Sequence, residues 1–312
     1  MMRVGLIDVD GRNFPNLALM KLSAWHKTQG DVVEWYMPFS ERYDTVYVSK
    51  VFSFTPDFDE YINADRVIRG GTGYAIEDIG GREVFLAYRD KQLQQEVEHS
   101  YPDYSIYPKL TEDTAYGFLT RGCPRGCEFC IVGEKEGLCS TKVADLSEFW
   151  RGQRKIVLCD PNILACRDWR ELLQQLIDSG AEVDFNQGLD IRLMTEEKAL
   201  MISQMRIKEI HFAWDRYKDK DIVVSKLKMF ADVASPNIHK KQVHNAIVYT
   251  IVNFDTTFEQ DLDRIYTLRD MGYWPYVMVY DKQHAEKKYK RLQRWVNMRS
   301  TFAVVTKFED YK

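Results

Sequence analysis

The sequence has no cysteine before Cys123 and no long apolar run. The first apolar segment, Val4–Val9, is short and is interrupted by Asp8, so it does not resemble a signal peptide. No stretch approaches the roughly 20 apolar residues that cross a bilayer. The formal net charge of −4 gives no reason to expect a general nucleic-acid or membrane binder. We therefore expect a soluble, cytoplasmic protein with no membrane partner.

The composition favours a folded protein with a sizeable core. Of 312 residues, 45% are hydrophobic and 29% are charged, which suits one large domain or two ordinary ones. All six cysteines lie between Cys123 and Cys166. A disulfide scaffold would spread its cysteines, so this clustering favours a metal site, catalysis or buried apolar packing.

The first 75 residues predict a small Rossmann-like parallel α/β domain. The predicted strands are Met2–Val9, Val32–Tyr36, Thr45–Val51 and Arg66–Ile68, with a helix from Leu17 to Gly30. Residues 76–114 lack periodicity, and we expect a linker with one short helix near Lys91–His99.

From Tyr116 onward, strands alternate with helices. The predicted strands are 116–120, 155–159, 182–186, 208–214, 246–252 and 275–280, and the predicted helices are 145–151, 168–179, 195–205, 221–231 and 258–271. This alternation predicts a partial (β/α)6 TIM-like barrel over residues 115–285. Residues 286–312 predict a basic C-terminal helix and tail.

Cys123, Cys127 and Cys130 form the one motif that carries specific chemistry. A tight loop with these short spacings suits thiolates wrapped around one compact iron–sulfur cluster. Gly122, Pro124 and Gly126 supply the tight backbone. Three ligands on a 4Fe-4S cluster leave one iron open to chelate a substrate or cofactor.

Zinc is the alternative metal for this motif, and a structural zinc ion would require a fourth protein ligand. Cys139 is available, but its offset from Cys130 is unusual for zinc, and Glu128 and Glu134 are poor structural ligands. We favour the iron cluster, with a zinc-binding interaction protein on an α/β scaffold as the alternative. A second cluster on the remaining cysteines, Cys139, Cys159 and Cys166, is less favoured than three unliganded thiols.

The run from Cys123 to Cys130, with Phe129 before the last cysteine, resembles the signature of the radical S-adenosylmethionine (SAM) superfamily. That resemblance implies that the open iron binds the amino and carboxylate groups of SAM. One electron, from a donor such as flavodoxin or ferredoxin, then breaks a carbon–sulfur bond and leaves a 5′-deoxyadenosyl radical. The resemblance does not identify a catalytic residue or a substrate.

In a barrel, the site lies at the carboxyl ends of the strands, so polar residues there are candidates for contacts with SAM. With Phe129, the candidate cofactor-binding residues are Asp160, Asn162, Gln187, Arg192, Asp215 and Asn253, and Asn186, Asp190 and Trp214 lie at the same strand ends. Arg192 is a candidate for a bidentate contact to the cofactor carboxylate. For each of these residues taken singly, a loop-capping role is the alternative. The Gly-Gly-Glu-like motif of the family is replaced by Cys159-Asp160-Pro161-Asn162, so the correspondence there is positional.

The N-terminal domain is similar to the cobalamin-binding-type domain of one branch of the superfamily. It lacks the Asp-x-His-x-x-Gly motif, and its one histidine, His26, is expected to face solvent. We favour a degenerate domain over one that binds cobalamin. The absence of N-terminal cysteines argues against methylthiotransferase chemistry.

The C-terminal stretch from Lys287 to Arg299 is basic and contains Tyr289 and Trp295. We favour an amphipathic helix that packs Leu292, Trp295 and Val296 inward over a nucleic-acid contact. The substrate is left open between a small molecule, RNA and a peptide.

Overall fold

The computed structural model describes residues 1–79, 83–234 and 246–312. The chain forms two compact units, Met1–Ile156 and Val157–Lys312. In the described residues, every helix is too short or too polar to span a bilayer.

A four-stranded parallel sheet opens the first unit. Its strands are β1 (Arg3–Asp8), β2 (Val32–Trp35), β3 (Tyr43–Ser49) and β4 (Ala64–Gly70). Their spatial order is β2-β1-β3-β4, and helix α1 (Leu17–Thr28) connects β1 to β2. All four strands run parallel. The strands and the helix predicted from the apolar pattern are confirmed.

Alternation along β1 builds a core on both faces of this sheet. Val4 and Leu6 are buried against Leu19 of α1 on one face. Ile7 points the opposite way and packs in a cluster with Tyr43. Strands buried on both faces are typical of parallel sheets, which explains why the segment is a nearly continuous apolar run.

Short elements make up the rest of the first unit. Its strands are β5 (Ile76–Asp78), β6 (Glu83–Phe85), β7 (Thr114–Gly117), β8 (Thr120–Arg121) and β9 (Thr141–Lys142). Its short α-helices are Thr72–Ala75, Gln95–Glu98, Pro108–Thr111 and Val132–Glu136, and its 3-10 turns are Ala87–Arg89, Tyr104–Ile106 and Leu146–Glu148. The helix expected near Lys91–His99 is confirmed as Gln95–Glu98. The helix expected over 145–151 is only the last of these 3-10 turns.

The second unit alternates strands with helices. The strands are β10 (Lys155–Leu158, which crosses the division between the units), β11 (Glu182–Phe185), β12 (Ile210–Ala213), β13 (Ala246–Val252) and β14 (Trp274–Val279). The α-helices are Trp169–Ser179, Glu196–Ser203, Lys220–Ala234, Phe258–Asp270, Lys287–Asn297 and Arg299–Val304, and the 3-10 turns are Ile163–Ala165, Ile191–Leu193, Tyr217–Asp219 and Phe308–Asp310. Strands β12, β13 and β14 form a parallel sheet in that order. Isolated parallel bridges, Glu182 to Arg206 and Leu189 to Phe212, connect the β11 segment to the β12 segment.

The architecture is therefore mixed α/β with parallel sheets. Over the ranges that the structure describes, the strands do not close into a barrel. The C-terminal helix Lys287–Asn297 buries Leu292, Trp295 and Val296 completely, in one cluster with Val277 of β14. This confirms the predicted amphipathic packing, which leaves the basic side chains on the outer face.

The expectation that His26 faces solvent is wrong. The residue is 2% exposed. Its Nδ1 lies 2.8 Å from Oδ2 of Asp31, and its Nε2 lies 3.0 Å from the hydroxyl of Tyr47. Both partners come from outside the helix, so helical periodicity alone does not reveal them. Buried polar rings of this kind are retained where both nitrogens find partners.

Candidate functional site

The three-cysteine motif lies in a loop that closes on itself. Strands β8 and β9 pair antiparallel, with Arg121 opposite Thr141. The two ends of the loop formed by residues 122–140 are therefore neighbours. Gly122 has a φ of +83°, and a Cβ there would lie 2.2 Å from the carbonyl oxygen of Cys139. Only glycine satisfies both the left-handed backbone and this close approach. The glycine that the motif analysis selected therefore closes the neck of the loop.

A carboxylate from inside the loop holds the same neck. Glu136 accepts a hydrogen bond from the backbone N–H of Gly122 at 3.1 Å and from the Arg121 guanidinium at 2.8 Å. That guanidinium also lies 3.4 Å from the ring centroid of Phe118. The backbone N–H of Cys123 donates to the carbonyl of Gly137 at 3.1 Å. These contacts fix the backbone where the first cysteine begins.

The loop offers the donor chemistry of a cluster site. The backbone N–H of Cys130 donates to the carbonyl of Cys127 at 3.0 Å, which makes a tight turn between those two thiols. Cys123 and Cys127 are half-buried and Cys130 is exposed. Within the three described ranges, however, no three or more His, Cys, Asp and Glu side chains form a group that could hold a metal ion. The residue types and the backbone of the loop therefore fit a cluster held by three thiolates. The three thiols are not already gathered around a common point in this structure.

Phe129 and the remaining cysteines occupy different environments. Phe129 is half-buried, beside the exposed Cys130. Cys139 is exposed, Cys159 is half-buried and Cys166 is buried.

Lys135 connects the cysteine loop to the N-terminal sheet. Its ammonium donates to the hydroxyl of Thr72 at 2.5 Å, directly after the carboxyl end of β4. Burial lowers the pKa of Lys135, against opposing effects from Asp90 and Glu136. The helix Val132–Glu136 that follows the cysteines is therefore tied to the edge where the parallel strands end.

That edge contains the topological switch point of the sheet. The chain passes from β1 outward to β2 and then returns to β3 on the other side, and ligands of open α/β sheets bind at such points. Asp8 ends β1 and accepts a hydrogen bond from the Tyr107 hydroxyl at 2.7 Å. Burial raises the pKa of Asp8 to about 6. Ser49 ends β3 and accepts from the Asn16 amide at 2.8 Å.

A cobalamin at this edge would find carboxylate, hydroxyl and amide groups. His26 would not hold such a ligand, because His26 bonds to Asp31, which directly precedes β2 and so lies at the opposite edge. The switch point therefore fits a ligand held by hydrogen bonds better than one held by an imidazole.

In the second unit, the predicted strand-end residues differ in exposure. Asp160, Asn162, Asp190 and Trp214 are buried, Asn186, Arg192, Asp215 and Asn253 are half-buried, and Gln187 is exposed. Arg192 is held by two carboxylates, at 2.7 Å from Asp190 and 2.5 Å from Asp219. Burial raises the pKa of Asp215, opposed by an N–H donated from Ile251 and by the charges of Arg264 and Arg192. The structure thus brings Asp190, Arg192 and Asp215 into one electrostatic group.

Asn253 has a structural role in this fold. It has a left-handed φ of +66°. Its side-chain amide donates to the carbonyl of Tyr280 at 3.1 Å, which connects the segments that follow β13 and β14.

Sequence reasoning missed the buried Arg264. It is 0% exposed and donates to the carbonyls of Trp214, Asp215 and Ile251, each at 2.7 Å. It also pairs with Asp261 at 2.5 Å on the same helix. The signal available in the sequence was an acid and a base three positions apart within an apolar helix face. Arg264 fixes the carboxyl ends of β12 and β13.

No protein-family model matches the sequence, and no curated protein matches it at a significant level. Solved structures with a similar fold include radical SAM methyltransferases. Two are structures of TsrM from Kitasatospora setae. The one with cobalamin and a 4Fe-4S cluster bound has a TM-score of 0.59 at 9% identity, covering 89% of this chain and 72% of that one. The one with tryptophan substrate and the SAM analog aza-SAM has a TM-score of 0.62 at 11% identity, covering 89% and 73%.

At these identities the similarity establishes the fold alone. The fold is therefore one that a radical SAM methyltransferase also has, in agreement with the fold that the predicted resemblance implies. What TsrM binds is a property of TsrM.

Proposed function

We propose that the chain is a radical SAM enzyme whose cluster is held by Cys123, Cys127 and Cys130. The observation that carries the proposal is the coincidence of two independent features. The three-cysteine loop has the residue pattern of the superfamily, and the chain around it has the fold of a superfamily member. Neither feature alone would distinguish a radical enzyme from a zinc-binding loop on a common scaffold.

When bound, a 4Fe-4S cluster supplies the electron that breaks a carbon–sulfur bond of SAM, yielding methionine and a 5′-deoxyadenosyl radical. The contribution of the chain is to hold and orient. Glu136 and Arg121 fix the start of the loop, and Lys135 anchors its end. We propose a partial barrel over residues 115–285. Phe129 and the strand-end residues are the proposed candidates for contacts with SAM.

Among those strand-end residues, the pairing of Arg192 with Asp190 and Asp219 sets its role. A guanidinium already committed to two carboxylates is fixed in orientation. We therefore propose that Arg192 attracts the carboxylate of SAM as a fixed positive charge. It is less suited to forming a new bidentate pair with that carboxylate. Asp160 and Asn162 are the buried hydrogen-bonding groups that follow β10, and they are proposed partners of the SAM amino group.

Anaerobic reconstitution with iron and sulfide, followed by dithionite and SAM, tests the proposal. We expect a brown protein with a broad absorbance near 400 nm (about the usual position for iron–sulfur charge transfer) and formation of 5′-deoxyadenosine. Cys127→Ala should lose both. S-adenosylhomocysteine as the product, dependent on added cobalamin, would instead indicate methyl transfer at the switch point of the N-terminal sheet.

Cys139→Ala is the matched control, because Cys139 lies in the same loop and is exposed. A three-thiolate cluster keeps its iron in this variant. A four-ligand zinc site that uses Cys139 loses its metal. A colourless protein that holds stoichiometric zinc in the wild type and none in Cys139→Ala would overturn the proposal in favour of the zinc-binding alternative.

A further inference from the structure

The β12-β13-β14 sheet of the second unit packs one face against the helix Lys220–Ala234. Phe212 of β12 is fully buried and packs edge-on against Phe230 of the helix Lys220–Ala234, with ring centroids 5.0 Å apart. The alternate side chains, on the opposite face, include His211, Tyr249 and Tyr276. Tyr249 and Tyr276 are cross-strand partners, and His211 is diagonal to Tyr249 in the register.

These three rings form an aromatic ledge. The imidazole of His211 is stacked on the Tyr249 ring, with centroids 5.2 Å apart and planes inclined by 8°. Tyr276 meets Tyr249 edge-on at 5.8 Å and is 42% exposed. The ledge therefore begins at a buried imidazole and ends at a ring open to solvent.

Two carboxylates flank the imidazole. On one side, Nε2 of His211 lies 3.2 Å from Oε1 of Glu209, whose other oxygen accepts from Arg299 at 2.8 Å. On the other side, Nδ1 lies 3.7 Å from Oδ1 of Asp184. That distance is too long for a hydrogen bond.

Both atoms of this long contact are buried and lack a hydrogen-bond partner among the residues that the structure describes. His211 itself is 9% exposed. Buried polar atoms are nearly always satisfied, so a missing partner is expected between Nδ1 and Oδ1. Burial raises the pKa of Asp184, with His211 opposing, as expected for a carboxylate that lacks full compensation.

The chemistry of the pair defines the missing partner. A carboxylate only accepts hydrogen bonds, so Glu209 requires the proton of His211 on Nε2. In the neutral imidazole, Nδ1 is then an acceptor, and it faces a second acceptor on Asp184. The partner must donate two hydrogen bonds to acceptors less than 4 Å apart. A primary ammonium does this and also offsets the Asp184 charge, and the adjacent ledge suits an attached ring.

We propose that Asp184 and His211, with the ledge of Tyr249 and Tyr276, bind a primary ammonium group carried by an aromatic or other apolar substrate. The site lies in the second unit and is assembled without the cysteine loop. It rests on the proposed function only in identifying the bound amine as the substrate of a radical SAM enzyme.

The test uses the full chain and benzylammonium as the probe, measured by calorimetry and ligand-observed NMR at neutral pH. We expect benzylammonium to bind and the isosteric benzyl alcohol and benzoate to bind at least about fivefold more weakly, because the alcohol lacks charge and the benzoate is repelled. Asp184→Asn should weaken benzylammonium binding by about fivefold or more. Tyr276→Leu should weaken it less, by about twofold to threefold.

Asp178→Asn, at an exposed position on the helix Trp169–Ser179, is the matched control and should bind as the wild type does. Equal binding of the amine and the alcohol, or no effect of Asp184→Asn, would mean that the pair holds only water and would overturn the proposal. The measurement needs neither cluster nor SAM. Amine binding without 5′-deoxyadenosine formation would therefore refute the proposed function and leave this site intact.

Discussion

The ammonium of Lys135 reaches the hydroxyl of Thr72, and this hydrogen bond joins the cysteine loop to the end of β4. The contact spans 63 positions of the chain and lies within one compact unit. It places the segment after Cys130 at the edge of the sheet where the parallel strands end, next to β4. We therefore expect loading of the proposed cluster to depend on the order of this sheet edge.

Lys135→Met should reduce cluster loading more than it reduces stability. The burial that lowers the pKa of Lys135 also means that removing its charge relieves a desolvation cost, while the bond to Thr72 is lost. We expect the iron per chain after reconstitution to fall by about twofold or more, with a change in the free energy of unfolding near 1 kcal/mol. Lys228→Met, at an exposed helical lysine, is the control. Unchanged iron content in Lys135→Met would refute the coupling.

Gly122→Ala should destabilise the protein more than Gly137→Ala. Both glycines have a left-handed φ, +83° and +93°, but only at Gly122 would a Cβ strike backbone, the carbonyl of Cys139. We expect about 1–3 kcal/mol of destabilisation for Gly137→Ala, because its ψ of 166° lies in a region that only glycine ordinarily adopts. Gly122→Ala should cost more than Gly137→Ala, because backbone strain is joined there by overlap with the Cys139 carbonyl. Urea unfolding of the two variants measures the difference. Equal values would show that the neck of the loop is adaptable.

Asp8→Asn should change how stability depends on pH. Burial raises the pKa of Asp8 to about 6, so the folded protein holds this proton more tightly than the unfolded chain does. The contribution of Asp8 to stability is therefore complete at low pH and is lost as pH rises from about 4 to about 6. The asparagine keeps an acceptor for the Tyr107 hydroxyl and does not ionise.

Melting temperatures of the wild type and of Asp8→Asn between about pH 4 and pH 8 measure this effect. We expect the variant to gain about 1 kcal/mol relative to the wild type above pH 6, after allowance for solvent screening, and to lose the advantage near pH 4. A difference between the two proteins that is constant with pH would contradict the assignment.

Arg264→Met should be strongly destabilising, because it leaves Asp261 buried without its cation and three carbonyls without a donor. Removal of one member of a buried pair costs about 3–5 kcal/mol. Arg170→Met is the matched control, since Arg170 pairs with Glu197 at the surface, and such a pair contributes less than about 1 kcal/mol. Chemical denaturation compares them, and a similar small loss in both variants would show that the carbonyls find other donors.

Features with a local cause were predictable from the sequence. Strand β1 and helix α1 follow from apolar spacing, and the cysteine loop follows from its residue types. The amphipathic C-terminal helix was predictable because Leu292, Trp295 and Val296 fall on one helical face.

Features that depend on distant partners were not predictable. The burial of His26 on helix α1 requires Tyr47, which lies on strand β3. The burial of Arg264 requires carbonyls from the segments of β12 and β13. The long contact between Asp184 and His211 likewise brings together two strands separated by a helix. The pairing of β5 with β6 is local, with Ile76 opposite Phe85, but its three-residue strands are too short to show an alternating pattern in the sequence.

Because Arg121 and Thr141 pair across β8 and β9, the segment between them begins and ends at neighbouring positions. Since entry and exit are neighbours, adding or deleting residues beyond Cys130 would not shift the register of any other strand. Doubling the length of a loop whose ends are held together costs only about 0.6 kcal/mol in loop-closure entropy. Length changes in this segment should therefore leave the strand pairing of the scaffold intact, provided that they keep Lys135 on Thr72 and Glu136 on Arg121 and Gly122.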